Sequence, residues 1–330
     1  ACFTPDEANR EVIYANGGLY LKLYYDVIYQ SKNVFYTDEA CSSANKISDI
    51  TTLSTAVKYA KTVSFVGSYE ATSDETIAVP AGKTTTFLRS KKFTNYSMMD
   101  IRSATVKILV NYGNSKLICD GSNVNTTGAK GSMVYLDNNA LSRLYLTGYS
   151  SSNKNIEVKN FHTSMSDGVG GAICNNYNGR IFIANCKFTG NYSNNSSGGA
   201  IYDGGGSSYI RNCDFSDNHA DKGYGGAIYR HSGDLEISNC TVTNCSAKYG
   251  GAFAFFESGT TKIYNCTITG NMSTDAGPAI YDDNGTNYYK NCTITGNVGT
   301  FSSGTTKRGA FVVNSTNKIH FDGYMIIKDN

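Results

Sequence analysis

Apolar residues recur at every second position along most of this chain, in short segments separated by Gly, Asn, Ser and Asp. Between residues 225 and 251, three such segments start near Ile228, Leu235 and Cys240. A spacing of two residues is typical of β-strands, and segments this short leave no room for a helix. The pattern therefore predicts three strands and three turns in each unit of this length.

The unit repeats, and two motifs keep its register. The dipeptide Asn-Cys returns at intervals of 26 or 27 residues, and a Gly-Gly-Ala-(Ile/Phe) motif lies between its copies. The in-register copies are Asn185-Cys186, Asn212-Cys213, Asn239-Cys240, Asn265-Cys266 and Asn291-Cys292, interleaved with motifs that begin at Gly170, Gly198, Gly225 and Gly250 and decay at Gly277 and Gly309. Two motifs locked to one period indicate a single structural unit stacked on itself.

Such stacking predicts an all-β fold, a parallel β-helix of about ten coils of about 27 residues. Each coil would add one rung to three parallel sheets, with rungs roughly 4.8 Å apart. Equivalent residues then stack in columns. We expect three columns to point inward: an apolar column that starts at Ile173, a second that starts at Phe188, and the in-register cysteines. Asn191, Asn218, Asn271 and Asn297 are expected to form a column of amides at a turn, with Cys245 in the same slot.

The beginning of the chain departs from this pattern. We interpret residues 1–60 as an N-terminal capping segment, a strand plus a short helix, and residues 61–330 as the β-helix. Leu21 lies within the alternating segment that predicts the strand, and Ser48 and Asp49 are candidate N-caps for the helix. A cap is needed because the first rung of a solenoid exposes unpaired backbone and an apolar end.

The two ends of the predicted solenoid suggest self-association into a filament. The last strand contains Tyr324 and Ile326, and few residues follow it. An uncovered parallel rung tends to recruit another strand. We expect that strand to come either from the next domain of a longer polypeptide or from the segment of Leu19, Leu21 and Leu23 in a neighbouring copy, and the second case builds a filament.

Composition excludes several classes of protein. The 330 residues carry a net charge of +2 with both signs interspersed. We interpret the densest basic cluster, Arg89, Lys91 and Lys92, as a solvated turn, so no nucleic-acid partner is predicted. No stretch approaches the roughly 20 apolar residues of a membrane-spanning helix. Turns rich in Asn, Ser, Thr, Gly and Tyr are typical of secreted β-rich proteins.

Ten cysteines raise the question of disulfides and metals. One cysteine per rung in a column is a packing arrangement, so we expect the five in-register thiols to be buried and reduced. Cys2 and Cys41 lie in the capping segment, and the sequence leaves open whether they form a disulfide. No spacing fits a zinc site, and no cofactor is predicted.

The motifs resemble those of a known family. Gly-Gly-Ala-Ile paired with Phe188-Thr189-Gly190-Asn191 and Phe215-Ser216-Asp217-Asn218 is similar to the tandem signature of chlamydial polymorphic membrane protein passengers and related adhesin-like proteins. The similar region runs from about residue 165 to 315. This resemblance implies a right-handed parallel β-helix of the pectate-lyase-like superfamily, located outside the cell or at its surface. It also implies a surface polysaccharide, or a protein of a host or neighbouring cell, as the partner.

The sequence predicts no catalytic pair. Asp203 and Asp282 share a column, but Arg230 and Phe255 lie between them. Three rungs separate the two carboxylates by roughly 14 Å, which is too far for the paired acids of a glycosidase. We therefore interpret them as surface turn residues and predict a non-catalytic adhesin or structural, filament-forming surface protein. The alternative is a lyase or hydrolase acting on an extracellular polysaccharide.

Two outward columns are candidates for binding. Tyr202, Tyr229 and Tyr281 follow the inward isoleucine column and should face outward, where they either bind sugar rings or a protein, or only shield the sheet. Threonines alternate on three successive rungs, in the segments Thr241-x-Thr243, Thr267-x-Thr269 and Thr293-x-Thr295. A flat threonine grid resembles insect-type ice-binding surfaces, which makes ice binding a minor alternative.

Overall fold

Strands of successive coils pair in parallel register and build a right-handed β-solenoid with little helix, as predicted. The structure is a computed structural model, with side chains described from residue 24 onward. It describes residues 10–15, 18–93, 97–122, 133–164, 170–301, 309–313 and 318–330.

Four sheets, named A to D here in their order within a coil, run along the solenoid. Sheet A comprises nine strands: Tyr69–Ala71, Met99–Ile101, Val134–Leu136, Ile173–Asn175, Ile201–Asp203, Ile228–Arg230, Phe253–Phe255, Ile280–Asp282 and Phe311–Val313. Sheet B comprises nine: Glu75–Ala78, Thr105–Leu109, Arg143–Thr147, Arg180–Ala184, Ser207–Arg211, Asp234–Ser238, Thr260–Tyr264, Thr286–Lys290 and Lys318–Asp322.

Sheet C is the longest and continues into the N-terminal region. Its twelve strands are Val34–Tyr36, Tyr25–Ser31, Ala60–Phe65, Thr84–Arg89, Lys116–Asp120, Ile156–Lys159, Cys186–Thr189, Asp214–Ser216, Thr241–Thr243, Thr267–Thr269, Thr293–Thr295 and Ile326–Lys328. Sheet D has six: His162–Thr163, Tyr192–Ser193, His219–Tyr224, Ser246–Tyr249, Met272–Ala276 and Val298–Gly299. The prediction of three sheets was wrong, because the segment after each turn asparagine pairs with its equivalents as a separate short sheet.

The number of coils also differs from the prediction. Nine strands in sheet A bound eight complete turns, fewer than the predicted ten or so. The reason is the length of the early coils. Register partners in sheet A show that the coils beginning at Tyr69, Met99 and Val134 contain 30, 35 and 39 residues. From Ile173 to Ile280 the coils contain only 25 to 28 residues, and the last coil, from Ile280 to Phe311, contains 31.

The predicted inward columns form the core. In sheet A the column Ile173, Ile201, Ile228, Phe253, Ile280 and Phe311 is in register, and in sheet C so is the column Phe188, Phe215, Val242, Ile268 and Ile294. All are buried except Phe311, which lies on the last rung. The five in-register cysteines are buried as predicted, and burial raises the pKa of the Cys213 thiol. The predicted alternatives for Cys2 and Cys41 cannot be resolved from the described residues, because Cys2 lies outside them.

Two asparagine columns hold the turns. In the predicted inner column, the side-chain amide of Asn191 donates to Asn218 Oδ1 at 2.9 Å, and that of Asn271 donates to Asn297 Oδ1 at 2.9 Å. Cys245 takes the intervening place, and its backbone N–H donates to Asn271 Oδ1 at 2.9 Å. All of these side chains are fully buried. Each amide both donates and accepts along the solenoid axis, so identical residues satisfy one another.

The Asn-Cys motif forms the second, outer column. The asparagines of its five in-register copies all have a left-handed backbone, with φ between 53° and 57°. Asparagine tolerates this conformation better than most residues. Successive side chains are hydrogen-bonded at 3.1–3.3 Å, and Asn239, Asn265 and Asn291 are exposed rather than buried.

Backbone conformation and close packing explain why the Gly-Gly-Ala motif contains two glycines. Gly225 has φ +67°, a conformation that L side chains rarely adopt. A Cβ on Gly226 would lie 2.1 Å from the carbonyl oxygen of Gly251 in the next coil. The first glycine therefore supplies a left-handed turn and the second permits the rungs to stack closely.

The N-terminal region joins the first coil through the pairing of Tyr25–Ser31 with Ala60–Phe65 and through a short helix that packs against it. Strands Arg10–Ala15 and Gly18–Leu23 form an antiparallel hairpin, which is followed in the chain by Tyr25–Ser31 and Val34–Tyr36 of sheet C, a 3-10 turn at Ser43–Asn45 and the helix Leu53–Tyr59. Leu53, Ala56 and Val57 of that helix are buried. Its N-cap is Thr52, whose side chain accepts from the backbone N–H of Thr55, rather than the predicted Ser48 or Asp49.

The inner asparagine column should contribute strongly to stability. Replacing Asn271 by Ala leaves the carbonyl of Val242 and the N–H of Cys245 buried without their partners. We expect a loss of about 2–4 kcal/mol in the free energy of unfolding. As a control, Asn265→Gly keeps the left-handed turn on the exposed column and should cost less than about 1 kcal/mol. Equal losses in urea denaturation would contradict the inner column's role.

Candidate functional site

The predicted tyrosine column is covered rather than exposed. Tyr202, Tyr229 and Tyr281 lie on the outer face of sheet A, as expected, but only 5–7% of their surface is accessible. Together with Cys174, Ala254, Ala276 and Val312 they form a second, smaller apolar cluster outside the main core. Tyr224, Tyr249 and Phe256 pack over it. Two of these covering residues come from sheet D, which the sequence pattern did not reveal.

An exposed aromatic ladder lies on sheet B instead. The rings of Tyr145 and Phe182 stack with centroids 4.4 Å apart, and those of Phe182 and Tyr209 with centroids 5.4 Å apart. Tyr209 is 46% exposed, and the three residues line a shallow groove of about 380 Å³. The sequence analysis missed this ladder. The available signal was an aromatic residue at the outward position of three successive strands, as for Tyr145 between the inward Leu144 and Leu146.

Asp203, Arg230 and Asp282 are not surface turn residues. All three point inward from sheet A and are at most 1% exposed. The prediction was wrong because the acidic residue follows the outward tyrosine by one position, and alternation returns it to the interior. Arg230 lies between the two acids along this column, with Phe255 next to it.

Each member of this buried column has nearby partners. The side-chain amide of Asn175 donates to Asp203 Oδ1 at 2.6 Å, while burial raises the pKa of Asp203 to about 7. The Arg230 guanidinium donates to the carbonyl oxygens of Gly233 at 3.0 Å and Asn284 at 3.2 Å. Asp282 accepts from Asn287 and from the hydroxyl of Tyr289. The column thus ties the turns between sheets A and B together and is closed to a polymer substrate.

A different carboxylate pair lies at the N-terminal end of the outer face of sheet A. Glu70 and Asp100 are register partners on adjacent rungs. Arg102 Nη2 lies 3.9 Å from Glu70 Oε1 and 3.4 Å from Asp100 Oδ2. These two oxygens are therefore at most about 7 Å apart, close enough for the two carboxylates to act on one bond. Burial, opposed in part by Arg102, raises the pKa of Asp100 to about 6.

Sequence reasoning missed this pair because it precedes the regular repeats. The two residues are 30 positions apart, and only the strand register brings them together. The interpretation of Arg89, Lys91 and Lys92 as a solvated turn was also wrong in part. Arg89 is fully buried and its guanidinium lies 4.5 Å above the Phe93 ring, whereas Lys92 forms an exposed ion pair with Glu39 at 3.6 Å.

The threonine rows are in register as predicted. Thr241, Thr267 and Thr293 align on sheet C, as do the threonines two positions later. All lie at outward positions of the sheet. The row ends on one side at Asp214 and Lys187, which precede it in register. Asp214 contacts Lys154 there.

The C-terminal rung leaves core positions open. Val313, Phe321 and Ile327 are register partners of the fully buried Asp282, Tyr289 and Ile294. All three are exposed, Phe321 by 52%. Within the described part of the chain, no strand pairs with the outer edges of these last strands.

The residues predicted for self-association lie at both ends of the solenoid. Tyr324 is 76% exposed, but Ile326 pairs with the outward Thr293, so the inward residue of the last strand is Ile327. Leu19, Leu21 and Leu23 are in the hairpin strand that pairs with Arg10–Ala15. Among the described strands, this hairpin pairs with no sheet of the solenoid.

Neither a cluster of metal ligands nor a membrane-spanning helix is found among the described residues. No group of three or more His, Cys, Asp and Glu side chains suited to a metal ion occurs among the described residues. Across those same residues, none of the helices has the length and apolarity required to cross a membrane.

A match to a known sequence family supports the fold. The sequence model of a family described as "Right handed beta helix region" matches residues 106–294 and 192–324. No curated protein matches the sequence. Among solved structures, "Geobacillus virus E2 - ORF18" is 12% identical, with a TM-score of 0.25, over 96% of this chain and 68% of the viral one.

The buried acid predicts a pH dependence of stability. The pKa of Asp203 is raised from 3.8 to about 7 on folding, so the folded state holds this proton more tightly. The contribution of protonated Asp203 to the free energy of unfolding should be fully present below about pH 4 and should be lost as the pH rises through 7. The loss should be on the order of a few kcal/mol.

Asp203→Asn should flatten that dependence in urea unfolding between pH 4 and 8, because the amide does not titrate. A smaller slope with the same sign should persist up to about pH 6 from Asp100. Asp283→Asn, at a half-exposed neighbour of the column, is the matched control and should retain the wild-type dependence. An unchanged slope in the Asp203 variant would contradict this assignment.

Proposed function

We propose that this chain, which belongs to the right-handed β-helix family, is a non-catalytic rod that acts outside the cell or at its surface as an adhesin or structural protein and joins other copies end to end. The observation that carries the proposal is the open C-terminal rung. Its inward side chains, Val313, Phe321 and Ile327, continue the core columns yet remain exposed.

An open rung favours a β-strand as its partner. Among the described strands, none pairs with the outer edges of its last strands, which lie beside exposed apolar side chains. Both the edges and the side chains are satisfied when another strand pairs in the same direction as the sheet. An apolar patch alone would bind any complementary apolar surface. A strand edge, by contrast, favours a partner with an extended backbone that can form β-sheet hydrogen bonds.

The partner that fits this edge is the N-terminal hairpin of a second copy. Its strands, Arg10–Ala15 and Gly18–Leu23, pair with each other and, among the described strands, with nothing else. An isolated two-stranded hairpin is only marginally stable in water, and a third strand stabilises it. A contact between opposite ends of two copies is heterologous and continues into a filament.

The adhesive part of the proposal concerns the sides of the rod. The aromatic ladder of Tyr145, Phe182 and Tyr209 offers an exposed contact surface for a polysaccharide or for a protein of a host or neighbouring cell. The resemblance of the Gly-Gly-Ala-Ile and Phe-x-x-Asn repeats to adhesin-like passengers supports the same role.

Assembly is tested by placing charge on the open rung. The double variant Val313→Lys, Phe321→Lys should remain monomeric in light scattering at concentrations where the intact chain forms larger species, because a buried interface disfavours unpaired charge. Leu141→Lys, at an exposed apolar residue in the turn before strand Arg143–Thr147, is the control and should assemble normally. An intact chain that stays monomeric at every concentration tested would contradict the proposal.

Polysaccharide cleavage is the second candidate, and Glu70 with Asp100 is the observation that favours it. A carboxyl with its pKa raised to about 6 beside a second carboxylate is the arrangement used for acid and base catalysis on glycosidic bonds. Under the non-catalytic proposal, the chain should release no reducing or unsaturated ends from uronic-acid polymers. Release that is abolished by Asp100→Asn and by Glu70→Gln, but not by Asp74→Asn, would instead establish the enzyme.

A further inference from the structure

A large groove lies between the N-terminal elements and the first coils. Its volume is about 960 Å³, which is within the range of small-molecule and oligosaccharide sites. Its lining includes Tyr24 and Tyr59, whose ring centroids are 6.1 Å apart, and the half-exposed Tyr112. Val79 and Pro80 contribute apolar surface to the same lining.

The charges of the groove are of one sign. Lys58, Lys61 and Lys83 line it, and among the described residues that line it there is no Asp or Glu. Acids are nonetheless close. Asp26 pairs with Lys61 at 2.7 Å. The pKa of Tyr25 is raised mainly by burial and further by the negative charge of Asp49. The ion pair of Lys61 is exposed and worth little, so Lys61 is readily redirected towards a bound anion.

Lys83 differs from the other two lysines because it is held in place. Its ammonium donates to the carbonyl oxygens of Val57 at 2.9 Å and Lys58 at 3.1 Å, at the C-terminal end of the helix Leu53–Tyr59. Burial, and to a smaller extent repulsion from Lys61, lowers the pKa of Lys83 to about 8. Two of its three N–H donors are used in these bonds, which leaves one in a side chain that lines the groove.

Lysines and tyrosines together define a chemical class of ligand. An ammonium favours carboxylate or sulfate groups, and the face of a tyrosine favours the C–H surface of a sugar ring. A flexible protein segment would not need three rings around an apolar floor, and a nucleic acid would need a longer basic track than this groove provides.

We propose that this groove binds an anionic oligosaccharide, with Lys58 and Lys61 contacting its acidic groups and Tyr112 stacking on a sugar ring. Lys83 fixes the wall at the helix end. The inference specifies the saccharide partner within the proposed extracellular role. Its test is separate from that of end-to-end assembly, because Lys58, Lys61 and Tyr112 lie neither in the N-terminal hairpin nor on the open rung.

The test is titration calorimetry with short oligomers of a uronic acid, a sulfated glucan and neutral glucose, all of equal length. The two anionic oligomers, or one of them, should bind, and the neutral oligomer should not. Affinity should fall as salt is added. Lys58→Glu with Lys61→Glu, and separately Tyr112→Ala, should each weaken binding by about tenfold or more.

Matched controls lie elsewhere on the solenoid. Lys262 and Lys290 lie on neighbouring strands of sheet B. Lys262 is exposed, like Lys58, and Lys290 forms an exposed ion pair, like Lys61. Their double replacement by Glu, and Tyr177→Ala at another exposed tyrosine, should leave affinity unchanged.

Binding of only the uronate or only the sulfated oligomer supports the proposal and identifies which anion is recognised. Equal binding of the neutral oligomer, equal affinity for a short DNA duplex, or no effect of the groove variants would overturn it. Circular dichroism of each variant separates loss of binding from loss of fold. Light scattering of the groove variants separates this result from end-to-end assembly, which they should retain.

Discussion

The stacking of every residue on its own equivalents, one rung apart, is the constraint on which this structure depends. Parallel pairing in register places the same position of each coil directly above and below itself. A residue is therefore suited to this fold when it tolerates a copy of itself as a neighbour. Isoleucine does so by dispersion and burial, cysteine as a small apolar side chain, and asparagine by donating and accepting at once.

For charged residues, stacking on identical neighbours is destabilising instead of favourable. A column of identical charges would repel along its whole length, so an acid in the interior must have a base or neutral donors beside it. The column that contains Asp203, Arg230 and Asp282 meets this requirement by alternating the sign and by drawing in Asn175 and Asn287. These residues are of the types found in catalytic sites, but here they are buried and hydrogen-bonded to their neighbours, so their role is structural.

The same geometry decides where the molecule can interact. Its interior is filled by columns, and the C-terminal half of the outer face of sheet A is closed by aromatic residues from sheet D and the following turns. Among the described residues, the surfaces that could bind a partner include the aromatic ladder on sheet B, the carboxylates at Glu70 and Asp100, the groove beside Tyr112 and the open last rung. Three of these lie in long early coils or at an end, where the repeat is weakest.

The sequence by itself determined the parts of the protein that repeat. The period, the inward Ile173 and Phe188 columns, the cysteine column and the inner asparagines could all be predicted, because in-register stacking turns a linear period directly into contact. Sheet D, the cover over Tyr229, the burial of Asp203 and the meeting of Glu70 with Asp100 were decided only by the tertiary structure. Each depends on coil lengths and turn paths that follow no period, and therefore on which distant side chains the folded coils bring together.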